Sequence, residues 1–344
     1  MLRMMELEKG LPHNHKSRRK TPWDEEEHRT PMQEFLYQHY TAHYENHHPR
    51  LADTGETQLI NSFVPKACPY CTSEAIKMNG LTHNGVQRYK CMNCGRTFTP
   101  VTRTIFEGHK ISISEWMDFT LNIFRYVSIN ADSWNNRNAF TTSRYWLEKL
   151  FLVLESYQGS LKFSGKVWLD ETFYSVRNED ILRTEAGGKL RGLSANQICI
   201  GVACDKSHAL CILEGYGKPS QKKTYESLKN HIEPGSTLIH DKEKAHRKLV
   251  RELNLHSIAY DSREIKKFSD KDNPMNRVNR IHYLLKNFLY AHKSFDRDKM
   301  QGYLNLFAFV MNPPADTLEK VEILLNLAFR NPKTLRYRKF YGLK

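Results

Sequence analysis

The sequence predicts a multidomain α/β protein in which a small cysteine module precedes a larger sheet domain. Four of the seven cysteines form two Cys-x-x-Cys pairs in the first third of the chain. After residue 165, runs rich in β-branched and aromatic residues alternate with segments of helical periodicity, which is typical of strands and helices in one domain. A length of 344 residues with 40% hydrophobic residues allows two or three domains, each with its own core. The 11% aromatic content excludes a chain that is disordered throughout.

The positive charge of the chain is concentrated in two blocks. The formal net charge is +14, and residues 61–110 carry seven basic but only two acidic side chains. Residues 242–344 carry 22 basic and 11 acidic side chains, whereas residues 166–241 are balanced. This distribution favours a polyanionic partner, and nucleic acid is the commonest one. The first 20 residues lack the apolar core of a secretory signal and no apolar run approaches about 18 residues, so we expect a cytoplasmic protein that does not use a membrane.

The two cysteine pairs predict a structural zinc ribbon within residues 61–104. Nineteen residues separate the pairs, which is the spacing of a four-cysteine zinc site. The predicted zinc ligands are Cys68, Cys71, Cys91 and Cys94. A redox-active Cys-x-x-Cys motif would not explain two pairs in register, so zinc is the preferred interpretation. The basic residues around this site, which include Arg88, Lys90 and Arg96, predict contact with phosphate groups.

The segments on either side of the ribbon are predicted from their polarity and periodicity. Residues 1–60 are polar and rich in histidine, and we interpret them as a flexible extension without a metal site. Apolar periodicity predicts helices at Ile113–Val127 and Thr141–Leu154, with a polar break at Asp132–Asn138 between them. Two short helices around a polar turn indicate a helix-turn-helix DNA-binding region within residues 105–158.

Residues 165–312 are predicted to form a ribonuclease-H-like domain with a mixed five-stranded sheet. Three strands joined by short connections are followed by two strands that alternate with helices, and this order is the connectivity of that fold. The five predicted strands are Val167–Val176, Gln197–Ala203, Ala209–Glu214, Ser236–His240 and Ser257–Tyr260. Further helices are predicted at Thr224–His231, Glu243–Leu253 and Asn276–Leu289, and residues 313–344 are predicted to be a helical basic tail.

Two carboxylates in this domain are candidate ligands of a divalent cation. Asp170 interrupts an otherwise apolar strand, where an unpaired carboxylate would cost several kcal/mol and therefore needs a partner. Glu171 should point to the opposite face of that strand, so only one of the two can belong to a given site. Asp241 follows the fourth strand, and we expect it to converge with Asp170 as a divalent cation requires.

The order of these motifs resembles the zinc-ribbon insertion-sequence transposases, bacterial relatives of the Merlin elements in the DDE superfamily. The motifs are the zinc ribbon, the helix-turn-helix, Leu169-Asp-Glu-Thr172, Ile239-His-Asp241 and the helix Asn276–Lys286. The resemblance covers residues 63–312 and implies that Asp170 and Asp241 are the first two catalytic acids, which bind Mg²⁺ or Mn²⁺. It also implies that Asn279 stands at the third position, where many members have Glu, and that Lys286 is the lysine seven residues later.

The activity that the resemblance implies is cutting of the ends of a mobile element and joining of those ends to target DNA. Its partners would be double-stranded DNA, as terminal inverted repeats and target, and further copies of the chain in a homo-oligomer. The residues assigned to DNA binding are Arg88, Lys90, Arg96, Arg137, Arg144 and His282. Two alternatives remain open at this point: a metal-dependent nuclease that cuts without joining, and a zinc-ribbon DNA-binding regulator or inactive remnant with a non-catalytic core.

Overall fold

The computed structural model describes residues 31–32, 54–108, 112–135, 138–293, 295–331 and 333–342. These residues form two compact units. The first unit contains the described residues up to Val153 together with those from Thr317 onward, and the second unit contains Leu154–Asp316. Each unit is described separately below.

The cysteine module of the first unit is a three-stranded antiparallel sheet in the order β1-β2-β3. Its strands are β1 (Ile76–Leu81), β2 (Gln87–Cys91) and β3 (Thr97–Phe98). The rings of Tyr89 and Phe98 stack with their centroids 5.8 Å apart and, with the cysteines, form a small core. The ribbon predicted from the cysteine spacing is therefore present, with all four thiols in one cluster.

A helix precedes the ribbon in a segment that the sequence predicts to be flexible. Helix α1 (Thr54–Ser62) is fixed to the β1–β2 hairpin because the Asn61 side chain donates to Gly85 O at 3.0 Å and accepts from Gln87 N at 2.8 Å. The carboxylate of Glu56 accepts from Ser114 N at 3.1 Å. The prediction of flexibility is therefore wrong for residues 54–60. The histidine-rich remainder of the extension lies outside the described residues, apart from residues 31–32.

Three helices follow the ribbon where the sequence predicts two. They are α2 (Ile113–Phe124), α3 (Ile129–Asn135) and α4 (Phe140–Leu154). The polar break predicted at Asp132–Asn138 is wrong in its first half, because α3 continues to residue 135. Asp132 is polar but fully buried, and it accepts hydrogen bonds from Asn122 Nδ2 at 3.0 Å and from Ser143 Oγ at 2.8 Å. The polarity of Asp132 predicted a loop, but its buried carboxylate links α2 to α4 through these two hydrogen bonds. The helix-turn-helix arrangement stays a prediction.

The second unit contains the predicted mixed five-stranded sheet, which is confirmed. Its strands are β4 (Lys166–Ser175), β5 (Gln197–Cys204), β6 (Ala209–Tyr216), β7 (Thr237–Asp241) and β8 (His256–Tyr260). The strand order is β6-β5-β4-β7-β8, in which β4, β5 and β6 are antiparallel and β4, β7 and β8 are parallel. This order places β4 in the centre of the sheet with β7 beside it.

Helices cover both faces of this sheet. They are α5 (Gln221–Leu228), α6 (Arg247–Glu252), α7 (Ser262–Ile265), α8 (Asn276–Ala291) and α9 (Met300–Met311). Leu228 of α5 and Leu249 of α6 share a buried cluster with Val167 and Leu169, which point to one face of β4. Helix α8 packs against β4 and β5, and α9 packs against β6. Alternate residues of β4 therefore face two different helical layers.

The carboxyl-terminal helices belong to the first unit. They are α10 (Thr317–Arg330) and α11 (Tyr337–Phe340). The ring of Phe329 stacks on that of Phe63 with centroids 4.1 Å apart and lies 5.2 Å from that of Phe106. The segment that the sequence predicts to be a basic tail thus supplies core residues from position 317 onward. None of the described helices is both long enough and apolar enough to cross a membrane.

Candidate active site and metal centre

The four ribbon cysteines lie at distances that suit a tetrahedral metal ion. The Sγ atoms of Cys68 and Cys94 are 3.7 Å apart, and those of Cys71 and Cys91 are 3.6 Å apart. All four Sγ atoms lie within 4.8 Å of one another. A tetrahedron of sulfurs about 2.3 Å from zinc has S···S separations of about 3.8 Å. The cluster therefore has the size of a Cys₄ zinc site.

The two turns that carry the cysteines have the same backbone geometry. Thr72 N donates to Cys68 O at 2.9 Å and Gly95 N donates to Cys91 O at 3.0 Å. Thr72 and Gly95 both adopt a positive φ, of 60° and 72°, which costs Gly little and Thr more. The chain keeps a threonine in this conformation because the turn orients both sulfurs of its pair toward the other pair.

The thiols of the cluster differ in acidity. The backbone N–H of Cys94 is the main reason that the pKa of Cys91 falls to about 6. The backbone N–H of Arg96 lowers the pKa of Cys94, but burial and the neighbouring thiols outweigh it and raise that pKa to about 11. Four thiolates therefore do not form together at neutral pH unless a cation compensates their charge.

Asp170 and Asp241 lie side by side on adjacent parallel strands. Leu169 of β4 pairs with His240 of β7, so the next residue on each strand is an aspartate, and the two aspartates share a face of the sheet. Their side chains are 26% and 29% exposed, which leaves oxygen atoms accessible from solvent. The structure thus brings together the two acids that the sequence analysis selected.

The electrostatics of the pair suit a cation. Burial, assisted by the charges of Asp241 and Glu171, raises the pKa of Asp170 to about 7. Burial also raises the pKa of Asp241. Two carboxylates with raised pKa values repel each other when both are ionised, and a divalent ion with oxygen ligands removes that penalty. The residues present therefore fit a Mg²⁺ or Mn²⁺ ion.

Helix α8 carries the other predicted site residues past these aspartates. His282 Nδ1 lies 3.9 Å from Asp170 Oδ2, and the side chain of His282 is only 11% exposed. Burial, with the charge of Lys286, lowers the pKa of His282 to about 4, so this ring is neutral at pH 7. Asn279 and Lys286 are exposed and lie three and four residues from His282, on the same side of the helix. Of these three side chains, that of His282 lies against Asp170.

A buried network lies on the opposite face of β4, behind the aspartates. His246 Nε2 is 2.9 Å from Glu171 Oε1, and His246 Nδ1 is 2.9 Å from His240 Nδ1. His240 Nε2 is 2.9 Å from Ser257 Oγ. Burial alone lowers the pKa of His246, but its hydrogen bond to Glu171 and the nearby carboxylates raise it. Burial and the charge of His246 lower the pKa of His240 to about 4.

The partners fix part of the proton arrangement. His246 Nε2 donates to the carboxylate of Glu171, and one of the two facing Nδ1 atoms donates to the other. His240, Asp241 and His246 also have the residue types of a metal site. The 2.9 Å between the two Nδ1 atoms is a hydrogen-bond distance and leaves no space for an ion between them.

Comparison with known proteins identifies the second unit. The sequence profile of the ISXO2-like transposase domain matches residues 162–312. The match covers less than half of the chain, and within it the second unit resembles such a domain. The predicted resemblance to DDE-type insertion-sequence transposases is confirmed by this match, which covers the aspartates and α8.

Two further likenesses are weaker. A stretch of 63 residues is 33% identical to a protein of Halobacterium salinarum described as an uncharacterized protein in transposable element ISH50. That stretch is 18% of this chain and 20% of that protein, so the chain spans about a fifth of its relative's length. The crystal structure of a pre-cleavage Mos1 transpososome is similar with 8% identity and a TM-score of 0.22, over 61% of this chain and 75% of that chain. A likeness at this level carries no argument about the transposase domain.

The residues predicted to bind DNA lie on several elements. Lys90, Arg96 and Arg144 are exposed and Arg88 is half-buried. The guanidinium of Arg96 lies 4.9 Å from the centroid of the Tyr70 ring, beside the cysteine cluster. Arg137 lies outside the described residues. Of the six, His282 differs because its side chain is largely buried beside Asp170, which favours a role inside the site of the transposase domain over one on an open surface.

The sequence did not predict a role for His246, which is the partner of Glu171. Glu171 was recognised only as pointing away from Asp170, as it does. The sequence signal available for His246 was its position five residues after Asp241, where a turn returns the chain to the sheet. Without the fold, nothing distinguishes this histidine from the other 15 in the chain.

Proposed function

We propose that the protein is a metal-dependent DNA transposase that cuts the ends of a mobile element and joins them to target DNA. The observation that carries the proposal is the alignment of Asp170 and Asp241 on adjacent strands within a transposase domain. An inactive remnant has no need to keep two partly exposed carboxylates when burial and mutual repulsion raise the pKa of Asp170. The same pair is what a divalent cation requires.

The catalytic ions would be Mg²⁺ or Mn²⁺, held by Asp170, Asp241 and Asn279. When bound, such ions activate a water or a 3′-hydroxyl and neutralise charge on the phosphate under attack. Asn279 contributes a neutral carbonyl oxygen, so the three side chains together carry a charge of −2 instead of the −3 of a site with Glu at the third position. This lower charge predicts a weaker hold on the metal.

The remaining residues of the site would position the substrate. Lys286 is exposed two helical turns beyond Asn279, where its ammonium would contact a phosphate of the strand being cut. The neutral ring of His282 packs against Asp170 and would fix the orientation of that carboxylate. On the opposite face of the sheet, the contact between Glu171 and His246 would hold β4 and β7 in position relative to each other.

The first unit would recognise the ends of the element. The cysteine cluster would hold structural zinc, and the exposed Lys90, Arg96 and Arg144 would contact DNA phosphates or bases. Joining of two DNA ends requires two copies of the active site in one complex, so we propose a homo-oligomer. We place the protein in the cytoplasm, associated with DNA.

A strand-transfer assay tests the proposal. Full-length protein is incubated with labelled terminal-repeat DNA, a supercoiled target plasmid and Mg²⁺ or Mn²⁺, and the products are separated by size. We expect joined products, their loss in Asp170→Asn and Asp241→Asn, and their retention in the exposed control Glu252→Gln. Cut ends without joining would favour a nuclease. DNA binding without any cutting by the wild type would favour the regulator.

A further inference from the structure

A cavity lies on the flank of α8 opposite Asn279 and Lys286. It has a volume of about 490 Å³ and opens between the first turns of α8 and the turn that joins β5 to β6. Arg277, Arg280 and Leu284 of α8 line it at helical spacing. Trp168 lines it from β4, two residues before Asp170 and on the same face of the strand. The cavity therefore begins about 7 Å along the strand from the candidate active site.

The rim of the cavity is cationic, and its principal cation is fixed in place. Arg277 Nη1 donates to the backbone oxygens of Asp205 and Lys206 at 3.3 and 3.1 Å, and its guanidinium lies 5.1 Å from the centroid of the Trp168 ring. Arg280 and Lys206 are exposed, and within the described part of the chain no carboxylate lies within ion-pair distance of either. Two cations are thus available to a ligand while the third defines the shape of the rim.

The acid at the rim does not neutralise these cations. Asp205 Oδ1 accepts from the backbone N–H groups of Ser207 and His208, both at 2.7 Å. The same oxygen is 3.8 Å from His208 Nδ1. Its charge therefore stabilises the β5–β6 turn, and the field at the mouth of the cavity remains positive.

One part of the lining, called the apolar floor below, consists of Ile281, Leu284, Met311 and the indole of Trp168, and an inorganic anion does not need it. Asn273, Asn276 and Asn312 also line the cavity, so the lining as a whole is mixed. A cavity of this volume with aliphatic and aromatic contacts, side-chain amides and a cationic rim suits a ligand that has a planar part with polar edges and an anionic part. A nucleotide has both, as a base and a phosphate.

We propose that this cavity binds one unpaired nucleotide, with its phosphate at Arg280 and Lys206 and its base against the apolar floor. The inference rests on the proposed function, because it takes the nucleotide to be part of the DNA strand that passes the aspartates. A paired base is held in the stack of the duplex and cannot enter a pocket, so the nucleotide is one that has left the duplex. The active site would then act on DNA whose strands are locally separated beside the scissile phosphate.

The first test measures binding to the cavity without any DNA chemistry. Deoxyadenosine monophosphate and inorganic phosphate are titrated into full-length protein while tryptophan fluorescence is recorded. We expect the nucleotide to quench fluorescence and phosphate alone to leave it unchanged, and we expect quenching to disappear in Trp168→Phe. The variant Lys206→Ala/Arg280→Ala should bind the nucleotide at least fivefold more weakly. The matched control Lys222→Ala/Arg251→Ala removes two exposed cations from α5 and α6 and should bind as the wild type does.

The second test locates the nucleotide within a DNA strand. Oligonucleotides that carry iododeoxyuridine at successive positions, single-stranded or in duplex, are irradiated with the protein, and the cross-linked peptides are sequenced. We expect cross-links to peptides that contain Trp168 or Met311 from single strands and from duplexes with an unpaired base, and not from fully paired duplex. The slope of log affinity against log salt should fall by roughly 1 for each phosphate contact that the double variant loses.

The outcomes separate this inference from the proposed function. Equal nucleotide affinity in the cavity variant and its control, or cross-links that map elsewhere, would overturn the cavity assignment even if the wild type joins DNA ends. Quenching and cross-linking at Trp168 in a protein that neither cuts nor joins DNA would support the nucleotide site and overturn the transposase proposal. An adventitious site for any anion would reveal itself by equal binding of inorganic phosphate, which would also overturn the inference.

Discussion

His246 Nε2 lies 2.9 Å from Glu171 Oε1, and their side chains are 0% and 4% exposed. The two residues are 75 positions apart, and His246 also approaches Asp241, with Nδ1 3.8 Å from Oδ1. The His246 ring thus pairs with the glutamate behind β4 and lies beside the aspartate at the end of β7. The position of Asp241 relative to Asp170 therefore depends on the contacts of His246 with Glu171 and Asp241, and not on a direct contact between the two aspartates.

Removing the His246 side chain should destabilise the protein. We expect His246→Ala to lower the free energy of unfolding by about 3 kcal/mol or more, because Glu171 is left buried and unpaired. Urea denaturation measures the change. The double variant Glu171→Gln/His246→Ala should recover part of the loss, since a neutral amide costs less to bury than a carboxylate. Equal stability of His246→Ala and the wild type would contradict the ion pair.

The pKa of Asp170 predicts a pH dependence of stability. A folded-state pKa of about 7 lies above the usual 3.8, so between these values the folded state holds a proton that the unfolded state has lost. Without divalent cation, the contribution of Asp170 to stability should therefore fall as the pH rises from about 4 to about 7. Thermal denaturation at a series of pH values measures this slope.

The contribution of Asp170 to that slope can be isolated. Glu214 has a pKa raised to about 7 as well, through burial and the charge of Glu171, and it adds to the fall. His240, His282 and His292 have pKa values that burial lowers to about 4, and they act in the opposite direction. Asp170→Asn should remove the share of one carboxyl from the net slope, and Mg²⁺ should change the slope of the wild type in the same direction but leave that of the variant unchanged. An identical slope in Asp170→Asn would show that this carboxyl does not titrate as assigned.

The cysteine cluster should contain one zinc ion per chain, retained through purification. Mass-spectrometric metal analysis should find this stoichiometry in the wild type and less than half of it in Cys91→Ser. The control Cys204→Ser changes a buried cysteine of β5 that lies outside the cluster and should keep the metal. Full zinc in Cys91→Ser would refute the assignment.

The third ligand position can be tested by adding charge. Asn279→Asp should bind Mn²⁺ roughly tenfold more tightly, because affinity for hard cations rises with the number of carboxylates. Asn279→Ala should bind it more weakly, and Asn287→Ala, an exposed asparagine on the same helix, should not change it. Isothermal titration calorimetry measures all four proteins. Unchanged affinity in both Asn279 variants would place the third ligand elsewhere.

A glycine in β5 is required by the side chain beside it. A Cβ atom on Gly201 would lie 2.6 Å from Glu214 Oε1, and that oxygen is buried and unpartnered within the described residues. Gly201→Ala should therefore destabilise the second unit by about 1–3 kcal/mol. The paired substitution Gly201→Ala/Glu214→Ala removes the clash and should be less destabilised than Gly201→Ala alone, as measured by urea unfolding.

Local sequence patterns were sufficient to predict most of the second unit and the cysteine module. Alternation along Val167–Val176 and the order of the strands were sufficient to place Asp170 and Asp241 together, because parallel neighbours bring equivalent residues to one face. The spacing of the cysteines was sufficient for their cluster. These features depend on short stretches of chain or on a known connectivity, and sequence alone can indicate them.

Contacts between residues that are far apart in sequence could not be predicted, and the reason is physical. Asp132 has the polarity of a loop residue, and only its burial between Asn122 and Ser143 makes it a helix residue. His246 and the cavity beside Trp168 likewise arise from residues that are far apart in sequence and meet only in the folded chain. The pattern of residues within a single segment does not indicate such a contact.

The stacking of Phe63 on Phe329 has a consequence for how the protein is made. The first unit consists of two separate segments of the sequence, and the whole of the second unit lies between them. A ribosome must therefore synthesise the second unit before the ring of Phe329, which completes the cysteine-bearing unit, emerges. A fragment cut at residue 153 would lack that ring, so a fragment meant to isolate the ribbon and its helices should reconnect them to residues 317–342.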